Sequence, residues 1–282
     1  IPILSALFTS LVCFSNPATK ISDNSPSSGI VIRWNDCEQT IDGFGIAQAG
    51  WAKELFAFKN RKQVMDKMFG NDGLRLNILR GEIFPHYWEN KEDKDFNLND
   101  DINIELCDSD FNNKSDDLLR RGQLWLTLEA KNKYHINKLV FSTWSAPAWM
   151  KSNGKVSNGK LKPECYQDFA NYLAAFYKAY KSKGITPYAI SPSNEPGYAA
   201  PWNSSLWTAD EMGKFITSNL GPTFQKENIP AKIIFGENPL WSVVMPQLKM
   251  VSSKDFTDTI LQDYPEIKKF NLIAAGHGYS LS

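Results

Sequence analysis

Short apolar runs alternate with longer amphipathic segments along most of the chain. The apolar runs predict strands at Ile41–Gly45, Leu74–Arg80, Lys138–Ser142, Tyr188–Ile190, Lys232–Phe235 and Leu272–Ala275. The segments between them predict helices at Trp51–Phe58, Arg61–Phe69, Ser115–Lys133, Lys162–Gly184 and Ala209–Gln225. Strands that alternate with helices are typical of α/β proteins with a parallel sheet. The pattern therefore predicts an α/β fold.

The fourth predicted strand ends in the most informative stretch of the sequence. Pro192 and Pro196 exclude a helix there, and Asn194 and Glu195 lie just beyond the apolar run Tyr188–Ile190. A carboxylate beside an amide at the carboxyl end of a strand is typical of the catalytic face of an α/β barrel. The alternative is an ordinary loop glutamate.

Other candidate residues also stand at predicted strand ends. Arg80 ends the second strand, Trp144 follows the third, Glu237 follows the fifth, and His277 and Tyr279 follow the sixth. A surface salt bridge for Arg80 and a core position for Trp144 are the alternatives to a functional role. Glu237 is a second acidic candidate for catalysis.

Three separated motifs resemble glycoside hydrolase family 30. Ser193–Pro196 (SNEP) resembles the acid/base motif of the (β/α)8 glycosidase clan to which this family belongs. Phe141–Gly154 (FSTWSAPAWMKSNG) with Leu161–Glu164 (LKPE), and Ile41–Gly45 (IDGFG), resemble family 30 in particular. The resemblance covers roughly residues 39 to 280 and implies a (β/α)8 TIM barrel. It also implies that Ile30–Trp34 is a short N-terminal strand of a side β-domain.

The resemblance implies a retaining mechanism in which Glu195 is the acid/base. The residues implied to bind substrate or support the site are Asn194, Trp144, Arg80, His277 and Tyr279. The family's nucleophile lies at the end of a seventh strand, and this sequence stops after the sixth predicted strand. We therefore expect a truncated barrel that lacks its nucleophile and is inactive alone. Glu237 does not match the position of that nucleophile.

Composition agrees with a carbohydrate substrate. The 31 basic and 31 acidic residues balance and no basic run occurs, which argues against nucleic acid as a partner. The 9 Trp and 10 Tyr exceed what a core of this size needs, and indole rings stack well on sugars, although core packing explains most of them.

The N-terminal segment predicts export. Ile3–Phe14 contains no charged residue and is too short to span a bilayer, as in the apolar part of a signal peptide; a buried first strand is the alternative. We expect a partial signal peptide at 1–18, a linker and side-domain strand at 19–38, and an incomplete catalytic barrel at 39–282. The predicted location is extracellular, with no membrane span.

The sequence has no metal or cofactor signature. The four Cys include no CxxC pair, His277 is the only histidine at a predicted strand end, and the calcium-like spacing of Asp108 and Asp110 lacks the rest of its pattern. We expect no cofactor, and a monomer at full length. Cys37, Cys107 and Cys165 would remain after export, and their pairing stays open.

The predicted function is a secreted retaining β-glycosidase that hydrolyses a β-linked polysaccharide, of the xylan or β-1,6-glycan type. A glucosylceramidase-like lipid glycosidase and a non-catalytic carbohydrate-binding barrel are the alternatives.

Overall fold

Six parallel strands form one sheet in which each strand pairs with the next along the chain. The computed structural model describes residue 36 and residues 39–48, 51–88, 91–92, 122–242 and 251–279. The strands are β1 Gly45–Ala47, β2 Ile78–Ile83, β3 Lys138–Thr143, β4 Ala189–Ser191, β5 Lys232–Asn238 and β6 Leu272–Gly276. This curled half-barrel is consistent with a truncated (β/α)8 TIM barrel, which confirms the predicted fold class. The predicted signal peptide and the strand Ile30–Trp34 lie outside the described residues.

Helices connect the strands on the outside of the sheet. They are α1 Ala52–Ala57, α2 Arg61–Phe69, α3 Gln123–Tyr134, α4 Tyr166–Ser182, α5 Ala209–Phe215, α6 Gly221–Lys226 and α7 Ser253–Asp263. A π-helical turn, Ile216–Leu220, joins α5 to α6. Within the described residues, 3₁₀ turns lie at Pro85–Trp88, Ala148–Met150, Pro163–Cys165 and Pro265–Lys269. A helix is therefore present within each predicted range. However, α3 begins at Gln123 with Gly122 as its N-cap, and not at Ser115, and residues 115–121 lie outside the described residues.

The longest helix, α4, packs an aromatic face against β3. Phe141 of β3 contacts Phe176 at 5.0 Å and Tyr180 at 4.9 Å between ring centroids. All three side chains are almost fully buried. Burying one side chain of this size stabilises the fold by roughly 2 kcal/mol. This packing fixes β3 and, through it, the loop that carries Trp144.

Helix α3 holds β2 through one glutamine. The Gln123 amide nitrogen donates to the carbonyl oxygen of Glu82 at 2.7 Å, and its amide oxygen accepts from the Glu82 N–H at 2.6 Å. A side chain thus pairs with both backbone groups of one strand residue. Because Glu82 is two residues beyond Arg80, this contact also fixes the strand that carries the Arg80 side chain.

The first two strands begin later than predicted. Leu74–Arg80 was predicted as β2, but the N–H groups of Leu74 and Leu76 donate to the end of α2, so β2 begins only at Ile78. Arg80 consequently lies within β2 instead of at its end. β1 begins at Gly45 because the Asn77 side chain accepts from the Phe44 N–H in place of a strand backbone.

The fifth strand contains a β-bulge that the sequence did not predict. β5 continues to Asn238, so Glu237 lies inside the strand and not after it. Gly236 pairs with Ala275 and Asn238 pairs with Gly276, which leaves Glu237 as an extra residue in β5. A bulge reorients the side chain of the extra residue. In this bulge the Glu237 side chain contacts residues of β2, β3 and β4.

None of the helices in the described part of the chain is both long enough and apolar enough to cross a membrane.

Candidate active site

The carboxyl ends of the strands bring the predicted site residues into one cluster. Arg80 comes from β2, Asn194 and Glu195 from the loop after β4, Glu237 from β5 and His277 from the segment after β6. Direct side-chain contacts connect all five. Parallel strands present their carboxyl ends at one edge of a sheet, which explains why residues so distant in sequence meet here.

Glu195 is held by His277. Its Oε1 lies 2.9 Å from Nδ1 of His277, and the Glu195 side chain is 9% exposed. The carboxyl group is therefore largely removed from water and has a fixed hydrogen-bond partner. The carboxyl group of Glu195 is thus positioned for proton transfer to or from a bound molecule.

Arg80 determines how the Asn194 amide is oriented. Nη2 of Arg80 donates to Oδ1 of Asn194 at 2.8 Å. Because a guanidinium only donates hydrogen bonds, the amide oxygen must face Arg80. The NH₂ group of Asn194 is consequently left to donate elsewhere. The same Arg80 nitrogen donates to Oε1 of Glu237 at 3.1 Å.

Glu237 is a buried carboxylate with both oxygens engaged. Oε1 accepts from Arg80, while Oε2 accepts from Ser142 Oγ at 2.5 Å and also from Ser191 Oγ. Burial alone would raise the pKa of Glu237, but the charge of Arg80 and the contacts with His277 and Ser142 lower it to about 2. Glu237 is therefore a permanent anion at neutral pH. Its oxygens are turned toward protein partners, which does not suit a nucleophile.

His277 lies between the two carboxylates. Its Nε2 is 3.8 Å from Oε1 of Glu237, on the opposite side of the ring from Glu195. Burial would lower the pKa of His277, but the hydrogen bond to Glu195 and the nearby negative charge of Glu237 outweigh burial and the opposing charge of Arg80. The pKa of His277 is raised above its ordinary value as a result, which favours the imidazolium.

The loop backbone carries Glu195 in an unusual conformation. The Asn194 N–H continues the β3 ladder by donating to the Thr143 carbonyl at 2.7 Å, and the Glu195 N–H donates to the Glu237 carbonyl at 3.1 Å. Glu195 and Glu237 both have φ of +49°. A non-glycine residue in this region costs of order 1 to 3 kcal/mol and persists only where the surroundings enforce it. These two backbone bonds are among the contacts that hold Glu195 in this conformation.

Trp144 and Tyr279 lie at the edges of the cluster. The Arg80 guanidinium lies over the Trp144 ring, 4.6 Å from its centroid, so one face of the indole is covered. The Tyr279 ring centroid is 5.2 Å from that of His277, and Tyr279 is 68% exposed. Trp144 thus lies beside Arg80, and Tyr279 lies beside His277.

Comparison with known proteins decides the family. Residues 41–245 match the model of the glycosyl hydrolase family 30 TIM-barrel domain. This chain belongs to glycosyl hydrolase family 30. The resemblance read from the sequence motifs is therefore confirmed, and the match covers most of the chain.

Family 30 relatives differ in their named activities. A Caenorhabditis elegans protein named as a glucosylceramidase is 30% identical over 200 residues, which cover 67% of this chain and 37% of that protein. An endo-1,6-β-D-glucanase of Neurospora crassa is 28% identical over 237 residues, covering 78% and 45%. The chain thus spans less than half the length of these two relatives.

A solved family 30 structure shares the fold. An endo-β1,6-glucanase superimposes with a TM-score of 0.69 at 22% identity, over 86% of this chain and 53% of that one. At this identity the likeness concerns the fold alone. Proteins named as xylanases also match, so the family 30 assignment leaves the substrate open.

Sequence reasoning missed three buried polar residues, namely two serines that bind Glu237 and a lysine that joins the loops after β3 and β4. Ser142 and Ser191 are small enough to leave room for Glu237 and polar enough to bind it. In the sequence, the only indication of this role was that a serine lies near the end of each of the two apolar strands.

Lys151 is 2% exposed, and its ammonium donates to the Ser204 carbonyl at 2.6 Å and to Ser205 Oγ at 2.7 Å. Burial lowers the pKa of Lys151 to about 7.

Across the described residues, no group of three or more His, Cys, Asp or Glu side chains is arranged to bind a metal ion. Cys165 is a buried free thiol, whereas Cys37 and Cys107 lie outside the described residues.

Proposed function

We propose that this chain carries the acid/base half of the active site of a secreted retaining β-glycosidase, with Glu195 as the acid/base. The supporting observation is the position of Glu195. It follows β4 at the carboxyl edge of the sheet, is 9% exposed, and has one oxygen held by His277 at 2.9 Å. Its sequence context, Ser193–Pro196, lies within the stretch that matches family 30.

The proposed reaction has two steps. Protonated Glu195 gives its proton to the glycosidic oxygen while a carboxylate nucleophile attacks the anomeric carbon, which breaks the glycosidic bond and forms a glycosyl-enzyme. Ionised Glu195 then takes a proton from water as the water oxygen attacks the anomeric carbon and releases the nucleophile. The anomeric configuration is therefore retained.

The nucleophile of this mechanism comes from a part of the protein beyond the described residues. Glu237 does not fit that role because Arg80, Ser142 and Ser191 bind its carboxylate oxygens. Arg80 is suited to hold the nucleophile ionised, since its buried Nε has no hydrogen-bond partner among the described residues. A charge-assisted pair with a second carboxylate would use that donor.

Asn194 and Trp144 would bind the sugar next to the cleaved bond. The Asn194 NH₂ group, turned away from Arg80, would donate to the 2-hydroxyl, a contact that strengthens as the oxocarbenium-like transition state develops. Arg80 covers one face of Trp144, so a stacked sugar would lie on the opposite face of the indole.

A β-linked polysaccharide of the β-1,6-glycan or xylan type is the substrate class that we favour. The match to a fungal endo-1,6-β-glucanase extends over 78% of the chain. Trp202, after β4, and Trp241, after β5, are each 48% exposed on the loops that follow these strands. Exposed indoles in loops next to the cleavage site suit a chain of sugars better than a single residue. The 30% identity to a protein named as a glucosylceramidase supports a glycolipid as the second candidate.

Hydrolysis assays with the protein expressed from its complete reading frame test this proposal. The panel contains β-1,6-glucan, β-1,6-galactan, glucuronoxylan and glucosylceramide, with released sugars measured. We expect release from one polysaccharide, and Glu195→Gln should abolish it. Glu211→Gln, which alters a surface ion pair with Lys160, serves as the matched control and should stay active.

Each other outcome has a distinct meaning. Release only from glucosylceramide would replace the polysaccharide by the glycolipid. Polysaccharide binding without hydrolysis would identify a carbohydrate-binding barrel. Full activity in Glu195→Gln would remove Glu195 from the acid/base role.

A further inference from the structure

Glu237 is the most deeply buried anion of the cluster, and the proposed reaction does not use it. Its side chain is 4% exposed, against 9% for Glu195. Two serine hydroxyls and Arg80 fill its hydrogen bonds, and a β-bulge in β5 places it among them. A carboxylate removed from water in this way costs free energy unless neighbouring groups compensate its charge.

Besides Arg80, the neighbour that can use that charge is His277. Nε2 of His277 is 3.8 Å from Oε1 of Glu237, and Nδ1 is 2.9 Å from Oε1 of Glu195. The imidazole therefore bridges the buried anion and the proposed acid/base. Arg80 also faces this ring and opposes its positive charge, and Tyr279 interacts with Glu195 from the same segment as His277.

The protonation state of His277 decides which oxygen of Glu195 carries the acidic proton. If His277 is an imidazolium, Nδ1–H donates to Oε1, and the proton of the carboxylic acid must sit on Oε2. If His277 is neutral, the Glu237 carboxylate 3.8 Å from Nε2 favours the tautomer with its proton on Nε2, so Nδ1 is bare and the acid proton is drawn to Oε1 and into the hydrogen bond with the ring. Only the first arrangement leaves the proton free for a leaving group.

We propose that Glu237 is a positioning residue that acts through His277: its fixed negative charge keeps His277 protonated, and His277 in turn keeps the acidic proton of Glu195 on Oε2. This inference rests on the proposed acid/base function of Glu195. It assigns Glu237 a role that is neither nucleophile nor general base. Arg80 and the two serines hold Glu237 ionised and in place.

The wild-type protein provides the first test. In the protein from its complete reading frame, ¹⁵N NMR reports the protonation of each imidazole nitrogen, and the His277 signals are those lost in His277→Asn. We expect both nitrogens of His277 to be protonated at pH 7. A neutral His277 at pH 7 would overturn the inference, and this measurement requires neither activity nor a Glu237 variant.

The second test removes only the charge. Glu237→Gln is expected to lower the titration midpoint of His277 by one pH unit or more, a tenfold change in its proton affinity. Glu237→Asp, which keeps the charge, should preserve most of the affinity. Glu227→Gln, which removes an exposed carboxylate paired with Lys178, is the matched control and should leave the midpoint unchanged. An unchanged midpoint in Glu237→Gln would overturn the inference.

Kinetics link the titration to catalysis. We expect Glu237→Gln to lower kcat at least tenfold on glycosides with poor leaving groups and less than threefold on activated aryl glycosides, because only the former need the proton. The alkaline limb of the pH profile should also move to lower pH. If Glu237→Gln lowers the titration midpoint of His277 but lowers kcat equally on both kinds of glycoside, the protonation of His277 does not act through acid catalysis by Glu195, and the inference is refuted. Failure of the proposed function would instead appear as an active Glu195→Gln variant.

Discussion

The main-chain N–H of Glu195 donates to the main-chain carbonyl of Glu237 at 3.1 Å, and both residues have φ of +49°. The loop after β4 and the bulge in β5 thus support each other at their most strained positions. Strain of this kind is tolerated where the surrounding contacts outweigh it. The position of Glu195 therefore depends on the geometry of β5 as well as on its own loop.

The bulge itself should depend on Gly236. This residue has φ of +100°, and an added Cβ would lie 2.4 Å from the carbonyl oxygen of Ala275. We expect Gly236→Ala to lower the free energy of unfolding by about 3 kcal/mol, measured by urea denaturation. Gly154→Ala is the matched control, because Gly154 has φ of +66° with no atom within 4 Å of the added Cβ. It should cost only about 1 kcal/mol. Equal losses in the two variants would contradict a crowded, bulge-specific role for Gly236.

Acid should destabilise the fold through Glu237. Its pKa is about 2 in the folded protein and near 4.5 when unpaired, so the unfolded chain binds more protons between these values. The stabilisation from ionised Glu237 is complete above pH 4.5 and is lost as the pH falls toward 2. We expect the melting temperature to fall less steeply over this range in Glu237→Gln. Both melting curves should be measured at high salt. Salt screens exposed ion pairs such as Glu227–Lys178, so the remaining difference reports the contribution of the buried Glu237. Parallel curves for the two proteins would contradict the prediction.

The contacts of the Arg80 guanidinium with Asn194 and Glu237 should matter more for turnover than for substrate affinity. One guanidinium nitrogen contacts both Asn194 and Glu237, and the flexible ammonium of lysine is not expected to reproduce that geometry. We expect Arg80→Lys to lower kcat about 100-fold with a change in KM of less than about threefold, measured by steady-state kinetics. Arg75→Lys changes an exposed arginine and should be neutral. A large rise in KM with unchanged kcat would indicate that Arg80 contributes to ground-state binding instead.

Lys151 should stabilise the loops after β3 and β4. Its buried ammonium donates to Ser145 Oγ at 3.2 Å, in the loop after β3, and to Ser204 and Ser205 in the loop after β4. We expect Lys151→Met to lower the free energy of unfolding by about 2 to 4 kcal/mol, because these oxygens lose their donor in a buried site. Lys155→Met, at an exposed position of the same loop, should change it by less than about 0.5 kcal/mol. Identical denaturation midpoints for the two variants would contradict this role.

The sequence predicted the strands that are recognisable from local pattern. β3, β4 and β5 appear within a few residues of the predicted bounds, because their apolar runs are buried in the sheet. β6 also appears within a few residues of its predicted bounds, although it is only partly buried. β1 and β2 were displaced because a side chain, Asn77, and the end of α2 take the hydrogen bonds that strands would have made. These replacements of strand hydrogen bonds depend on tertiary contacts, so the hydrophobic pattern of the sequence does not reveal them.

The sequence also predicted part of the candidate active site. Parallel strands bring their carboxyl ends together, so the meeting of Arg80, Asn194, Glu195 and His277 could be expected from strand order alone. The burial of Glu237 could not, because it follows from a register shift between β5 and β6.

The leaving-group dependence of kcat in Glu195→Gln tests the central claim most directly. The measurement compares aryl β-glycosides of the preferred sugar, with phenols of increasing acidity, in the wild type and the variant of the protein from its complete reading frame. If Glu195 is the acid/base, the variant should lose roughly 100-fold or more on the poorest leaving group, and the loss in the glycosylation step should shrink steadily as the phenol becomes more acidic. A loss that is the same for every leaving group would contradict Glu195 as the proton donor.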